Sequence, residues 1–286
     1  MAQMTYFRIL AAALLMSSLY SACAEEQKGG IEIGIAPFLP VKTLVQNYAP
    51  LRDFLQSRLN VPVTIVSAPD YKTYFKCIQN GDYQIIITTA SSAYLAWADH
   101  AYVPLLQPLN FTHPAVAVLN TREFKQLSDL RGKVVAMSDA TAIVSMQGLQ
   151  MLQEAGLEPG SGIKIINKLN HSAAVNHVIT GEVDAAIVSD RAIAQMPASI
   201  REQIKIVYVW EKGAAPGIVY MGNPDMPRKH LEQINKAIIE FARDTPEGIK
   251  MLNDMGYGGL KPIGAEELRL LEPYGAMLKK ALTKTP

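Results

Sequence analysis

The sequence predicts an α/β protein of two lobes, each a mainly parallel sheet flanked by helices, with a two-strand hinge between them. Three observations lead there. Short apolar runs of strand length alternate with segments whose apolar residues recur at spacings of three and four. That alternation runs from residue 31 to residue 89, pauses, and starts again near residue 127. Two segments, about 110–116 and about 210–217, have the composition of crossings between lobes: the first contains Pro114 and the second reads Gly-Ala-Ala-Pro-Gly. Residues 31–112 and 217–286 then form lobe 1, and residues 113–216 form lobe 2. A chain that leaves one lobe, builds a second and returns can close on a ligand held in the cleft.

The elements follow in order. IEIGIA (31–36) alternates as a strand and enters a Pro-rich turn at Pro37 and Pro40. Val41, Leu44, Val45, Tyr48, Leu51, Leu55 and Leu59 then mark one helical face, with Pro50 suited to a first turn and so to a restart of the helix. VPVTIVSA (61–68) is a second strand, residues 70–80 a helix ended by Gly81, and YQIIITT (83–89) a buried strand. Such units imply a parallel sheet covered on both faces. Two short strands flank Pro108 to Pro114. Lobe 2 repeats the scheme with LSDLRGKVVAM, a helix after Asp139, IKIINKLN, a helix across Ser172 to Thr180, and VDAAIVSD. IKIVYV and GIVYMG are strands on either side of the second crossing, and residues 224–286 read as helical, with Pro227, Pro246 and Pro262 as starts or breaks.

Composition narrows the function classes. With 19% charged residues and a formal net charge of +1, the chain has no electrostatic footprint for nucleic acid. Residues 1–24 have one cation, Arg8, an apolar run from Ile9 to Met16 and then small residues, the layout of a secretory leader. Two endings are compatible with it. Ala22-Cys23-Ala24 fits cleavage before Glu25, whereas LYSAC is similar to a lipobox that would lipidate Cys23, with Tyr20 departing from that pattern. Both place the protein in the periplasm, free or tethered. Cys77 is the one remaining thiol, so no intrachain disulfide is expected in the folded part, and it reads as a small buried hydrophobe.

YAPLRDFL (48–55), NGDYQIIITTASSAYLAWA (80–98), LSDLRGKVVAM (127–137), KLNHSAAVNHVITGEVDAAIVSD (168–190) and the Pro-Gly return strand stand in one order and spacing. Together they resemble the phosphonate-type periplasmic substrate-binding proteins of ABC transporters, over nearly all of residues 31–260. The resemblance implies the type II periplasmic binding protein fold, a small-molecule ligand captured between the lobes, delivery to an ABC permease, and a monomer. It implies ligand contacts from Tyr48 in the first helix, from Ser91, Ser92 and Tyr94 at a helix entry, and from His171. Helix N-termini suit such a ligand because they present unpaired N–H groups and a partial positive charge to an anion.

One loop departs from the family pattern. Where the family tends to write Asp-x-x-Ser-Thr-Ser-Gly, this chain has Asp139-Ala140-Thr141-Ala142-Ile143-Val144-Ser145. Each lost hydroxyl removes a hydrogen bond to a charged group, about 1.5–3 kcal/mol apiece. A wall of Ile143 and Val144, with Thr141 and Ser145 as the surviving hydroxyls, argues against a tight phosphonate or phosphate binder. The ligand is therefore read as an oxyanion or, alternatively, an apolar or lipid-like molecule such as a sterol. The same fold also serves ligand-presenting sensors of membrane receptor kinases, so the membrane partner is a permease or a sensor.

Each candidate has a purely structural reading beside the functional one. Tyr48 and Tyr94 suit a core, Ser91 and Ser92 suit a helix cap, and Ile143 and Val144 suit burial without lining anything. His171 precedes a helix and suits capping it, and His113 in the first crossing reads as structural. Asp190 follows a strand at its C-terminal end, where open α/β sheets place ligands, and suits a ligand hydroxyl or amine. His171 and His177 fall on different helix faces, so no metal site is expected, and no cofactor. No Gly-x-Ser-x-Gly, His-Glu-x-x-His, P-loop or Gly-x-Gly-x-x-Gly motif points to an enzyme.

Overall fold

The computed structural model describes residues 30–284. The leader at 1–24 and Cys23 lie outside them. The chain builds two sheets, each covered by helices. The first sheet forms from β1 (Ile31–Ile35), β2 (Val63–Ser67), β3 (Ile85–Thr88), β4 (Val103–Pro108), β10 (Val219–Gly222) and β11 (Leu260–Pro262), in the order β11-β4-β10-β3-β1-β2. The second has β5 (Pro114–Leu119), β6 (Val134–Met137), β7 (Lys164–Asn167), β8 (Ala185–Ser189) and β9 (Ile204–Val209), in the order β7-β6-β8-β5-β9. β1, β2 and β3 pair in parallel, as do β6, β7 and β8. The strands running against these sets are β10 and β11 in one sheet and β5 in the other. β5 and β10 are the first strands the chain lays down after each crossing.

Helices α1 (Val41–Leu59), α2 (Tyr71–Asn80) and α3 (Ala90–His100) connect the first four strands. α1 buries Leu44, Tyr48, Leu51 and Leu55, the face the spacing predicts. The restart expected at Pro50 does not occur, and α1 runs through it unbroken. Burying three leucines on one stripe contributes about 1.5–3 kcal/mol each, which outweighs the roughly 3 kcal/mol lost at an interior proline. α2 ends at Gly81, whose left-handed conformation (φ +73°) closes the helix as expected.

In the second sheet, α4 (Ile143–Glu154), α5 (His171–Ile179), α6 (Asp190–Ala194) and α7 (Ala198–Arg201) follow in chain order. Period-two alternation sends Val116 and Val118 of β5 to a core on the far side, with Val135, Met151 and Trp210. Ala117 of the same strand faces the other way and joins a core that is continuous with the first sheet. α8 (Arg228–Asp244), α9 (Pro246–Asp254), α10 (Ala265–Arg269) and α11 (Glu272–Lys284) complete the chain. Pro227 stands at the start of α8 and Pro246 at the first position of α9. β11 interrupts the region read as wholly helical. A three-residue strand between Gly259 and Ile263 is too short to leave a periodic signal, and it forms because it pairs with β4. Among the described residues no helix is long and apolar enough to cross a membrane.

The chain passes between sheets at residues 109–113 and 210–218, and the two passages touch. Thr112 and Ala215 form an antiparallel bridge, with N–H···O distances of 2.8 and 3.2 Å. Gly217 makes the close approach possible, since a Cβ there would lie 3.2 Å from Thr112 Cβ.

Candidate functional site

Four helices of nine residues or more begin at one cavity between the sheets, and the five-residue α6 begins there as well, capped by Ser189 Oγ accepting from Ala192 N at 3.1 Å. Tyr71 is the first residue of α2, and Thr89 precedes α3. Ala142, Ile143 and Val144 lead into α4, and His171 opens α5. The first N–H groups of a helix have no intrahelical acceptor, and the aligned peptide dipoles put roughly half a positive charge there. At two of the four longer helices the side chains already use part of that potential. Asp70 caps α2 by accepting from Thr73 N at 2.7 Å, and Asn170 caps α5 by accepting from Ala173 N at 2.9 Å. α3 and α4 have no side-chain cap. Their open ends belong to different lobes.

The cavity is small, about 20 Å³, room for about one water molecule. No charged side chain lines it among the described residues. Three residues of its wall each have a buried polar atom without a partner: Tyr71 OH, His171 Nδ1 and Gln195 Oε1. Burial holds the His171 pKa down to about 4, so its ring is neutral at neutral pH. Burial, and next the Asp139 carboxylate, push the Tyr71 phenol far above its usual range, so it remains a donor. The lobes are latched across the cleft: His171 N donates to Phe38 O at 3.2 Å, and Asn47 Nδ2 to Gln195 O at 3.3 Å. Gln195 Nε2 donates to Tyr257 OH at 3.3 Å, also between lobes. Among the described residues no cluster of His, Cys, Asp and Glu is placed to hold a metal ion.

Comparison with known proteins adds the following. Residues 33–268 match the model of a family described as ABC transporter, phosphonate, periplasmic substrate-binding protein. The chain belongs to that family. The fold agrees with a binding protein component of an ABC phosphonate transporter from Pseudomonas aeruginosa, at TM-score 0.75 and 14% identity over 91% of this chain and 90% of that one. PhnD1 of Prochlorococcus marinus, in complex with methylphosphonate, superposes at TM-score 0.74 and 12% identity over 88% and 98%. The alkanesulfonate-binding protein SsuA of Xanthomonas axonopodis pv. citri, bound to MOPS, gives TM-score 0.62 and 17% identity over 90% and 94%. No curated protein matches the chain. The fold is that of type II periplasmic binding proteins, and the family consists of periplasmic substrate-binding proteins of ABC transporters, which work with a small-molecule ligand and a membrane permease.

Within this binding protein the residues singled out in the sequence fall into two groups. Ile143, Val144 and His171 stand in the cavity wall. The others stand elsewhere, each for a local reason. Tyr48 is buried on α1 behind the wall, its hydroxyl unpartnered and its pKa raised by burial and then by Tyr220 and Tyr257. Ser91 and Ser92 lie behind Thr89, whose Oγ1 is 3.4 Å from Ser91 Oγ and donates to Ser92 Oγ at 3.3 Å. Tyr94 lines a separate surface groove with Trp97, Arg269 and Glu272, and packs against Gly275 of α11. Thr141 is tied to Asp139, which accepts from its N–H at 2.8 Å, and Ser145 Oγ donates to Ser138 O at 3.1 Å.

Asp190 is a hinge residue. Its Oδ1 accepts from Thr112 Oγ1 and His113 N, both at 2.9 Å, and from Arg191 N at 2.8 Å. Its strand end thus meets the crossing chain, and Asp190 is not among the residues lining the cavity. Tyr71, Thr89, Gln195 and Tyr257 line the cavity without having been singled out. The signal available for Thr89 was its place one residue before a helix. Gln195 and Tyr257 come to the cavity from segments distant in sequence, and no local pattern marks them.

Proposed function

We propose that this binding protein captures a small organic oxyanion of the phosphonate or sulfonate type and delivers it to an ABC permease. The observation that carries the reading is the pair of uncapped helices, α3 and α4, opening onto one cavity from the two lobes. Helix N-termini with free N–H groups bind anions without a cation. Ala142 acquires a new meaning in this light. At the N-cap of α4, where Ser, Thr, Asp or Asn would bond the helix's own N–H groups, alanine leaves them to the ligand. A wall without lysine or arginine favours a monoanion over a dianion, since a buried second charge would have no counterion. Ile143 and Val144 then face the carbon substituent of the anion. Ligands bound by the structural relatives, methylphosphonate and MOPS, are of this class.

The lipid-like or sterol cargo has no support in the relatives. Export on the leader at 1–24, with Cys23 lipidated or cleaved away, and action as a monomer belong to the same proposal. So do lobes bounded as 31–112 with 217–286 and as 113–216, which move as bodies about the Thr112–Ala215 bridge.

A thermal-shift experiment tests the reading, with methylphosphonate, methanesulfonate, phosphate, a fatty acid and a sterol. At about a hundred times its dissociation constant a ligand stabilises the fold by roughly 2.7 kcal/mol, a rise in Tm of several degrees for a chain of this size. The expected result is a rise with at least one small organic anion and none with the fatty acid or sterol. A rise with the apolar compounds alone would contradict the proposal.

A further inference from the structure

Arg191 stands on one side of the hinge and reaches to the other. It belongs to α6, which leaves β8 of the second sheet. Its Nε donates to Phe111 O at 3.2 Å, on the stretch of the first crossing that precedes the Thr112–Ala215 bridge. Its side chain also lies against Gly256, in the loop between α9 and β11 of the first sheet. A Cβ at Gly256 would stand 2.9 Å from both Cδ and Nη1 of Arg191, closer than real Cβ contacts come.

Phe111 and Gly256 belong to one body. Leu109 N donates to Gly259 O at 3.0 Å, Asn110 N to Tyr257 O at 3.1 Å and Asn110 Nδ2 to Gly256 O at 3.4 Å, so the loop at 256–259 is bound along its length to the first crossing. Asp190 and Gln195 hold the other end of the arginine. Asp190 Oδ2 lies 3.6 Å from Arg191 Nε, and Gln195 Nε2, one turn on, donates to Arg191 O at 3.1 Å. The arginine side chain is 30% exposed, so its charge is largely withdrawn from water and depends on Asp190 and the Phe111 carbonyl for compensation.

We propose that Arg191 is a hinge latch that holds the two lobes closed, with Gly256 as its seat, bare of a side chain so that closure can complete. This rests on the lobes moving about the hinge and not on which ligand they enclose. The bonds of Asp190 to Thr112 and His113 lie at the turning point and survive rotation. The Arg191 side chain is attached beyond that point and ends before it, so rotation draws it off Gly256 and Phe111 O and returns it to water. Gly256 also has a left-handed φ of +75°, which favours glycine in open and closed lobes alike, whereas the missing Cβ matters only where Arg191 lies on it. A latch of this kind sets the closed fraction, and with it the apparent affinity for any ligand that the closed form binds.

The test is the separation of two spin labels on exposed positions of the two lobes, Lys72 of α2 and Gln150 of α4, read by pulsed electron paramagnetic resonance without ligand in a chain carrying Cys77→Ala. Four proteins are compared: the parent, Arg191→Ala, Gly256→Ala and the two substitutions together. The parent should show mainly the short separation. Arg191→Ala should raise the open-to-closed ratio about tenfold or more, the worth of one hydrogen bond to a charged group. Gly256→Ala should raise it too while Arg191 is present, and by less than about twofold in the Arg191→Ala background, where the clash has gone. The strain of alanine at a positive φ lowers Tm in both backgrounds and leaves that difference untouched. If Gly256→Ala does not fold, Arg191→Ala decides alone. An unchanged ratio in Arg191→Ala, or an equal shift by Gly256→Ala with and without Arg191, would overturn the latch and leave the moving lobes standing. A single separation common to all four proteins would leave no two states to balance, and the moving-lobe reading would fall together with this inference.

Discussion

α2 and α5 reach the cleft with caps of their own, Asp70 and Asn170, whereas α3 and α4 reach it with none. All four begin at the same cavity, so the difference is not one of position. A helix that has only to be stable gains about 1 kcal/mol from a capping side chain. α3 and α4 forgo that gain where a ligand would need the same N–H groups. On the proposed reading, capped ends fix the walls and open ends are left for the anion. The hinge teaches the same lesson on a smaller scale: Asp190 there is fully engaged by Thr112, His113 and Arg191, while Gln195, five residues later, keeps one acceptor free.

The largest effect expected from this contrast is an acid one. His171 opens a capped helix and is buried, and burial holds its pKa near 4 against an ordinary 6.5. Between those values the unfolded chain binds the proton and the closed protein does not. Stability is therefore full above pH 6.5 and falls as the pH drops toward 4, by up to about 3 kcal/mol. Urea unfolding across that range should show the decline, and His171→Gln should flatten it. A parent whose stability holds constant between those two values would mean that the ring is not sealed in the cleft.

A smaller effect concerns the capped end itself. Asn170→Ala should lower stability by about 1 kcal/mol and change anion affinity less than about twofold, because that cap serves the helix and not the ligand. Loss of affinity by an order of magnitude in a still-folded Asn170→Ala protein would erase the distinction between the two kinds of helix end.

Much of the fold is legible in the sequence because its determinants are local. Apolar runs such as Ile85–Thr88 and the 44-48-51-55 stripe of α1 are read directly from spacing. Pro50 is misread because its effect depends on what its helix packs against, and β11 is missed because its pairing partner lies some 150 residues earlier. The candidate site divides in the same way. Ile143, Val144 and His171 sit at helix starts that follow strands, a place with a sequence signature. Tyr94 carries the same signature but lies four residues into α3, past the open end and turned toward α11. Tyr71, Gln195 and Tyr257 are far apart in sequence and are brought to one cavity only by the tertiary fold. The absent hydroxyls of the 139–145 loop are visible in the sequence, but their meaning depends on Ala142 being a helix cap, which only the folded chain reveals.

The measurement that bears most directly on the open helix ends is a titration of Ala142→Asp with methylphosphonate. An aspartate at that position would bond the first N–H groups of α4 and place a negative charge where the anion is proposed to sit. The expected result is a folded protein whose affinity falls by about a hundredfold or more, the equivalent of roughly 2.7 kcal/mol. A folded Ala142→Asp protein that binds as tightly as the parent would show that the α4 end does not hold the anion.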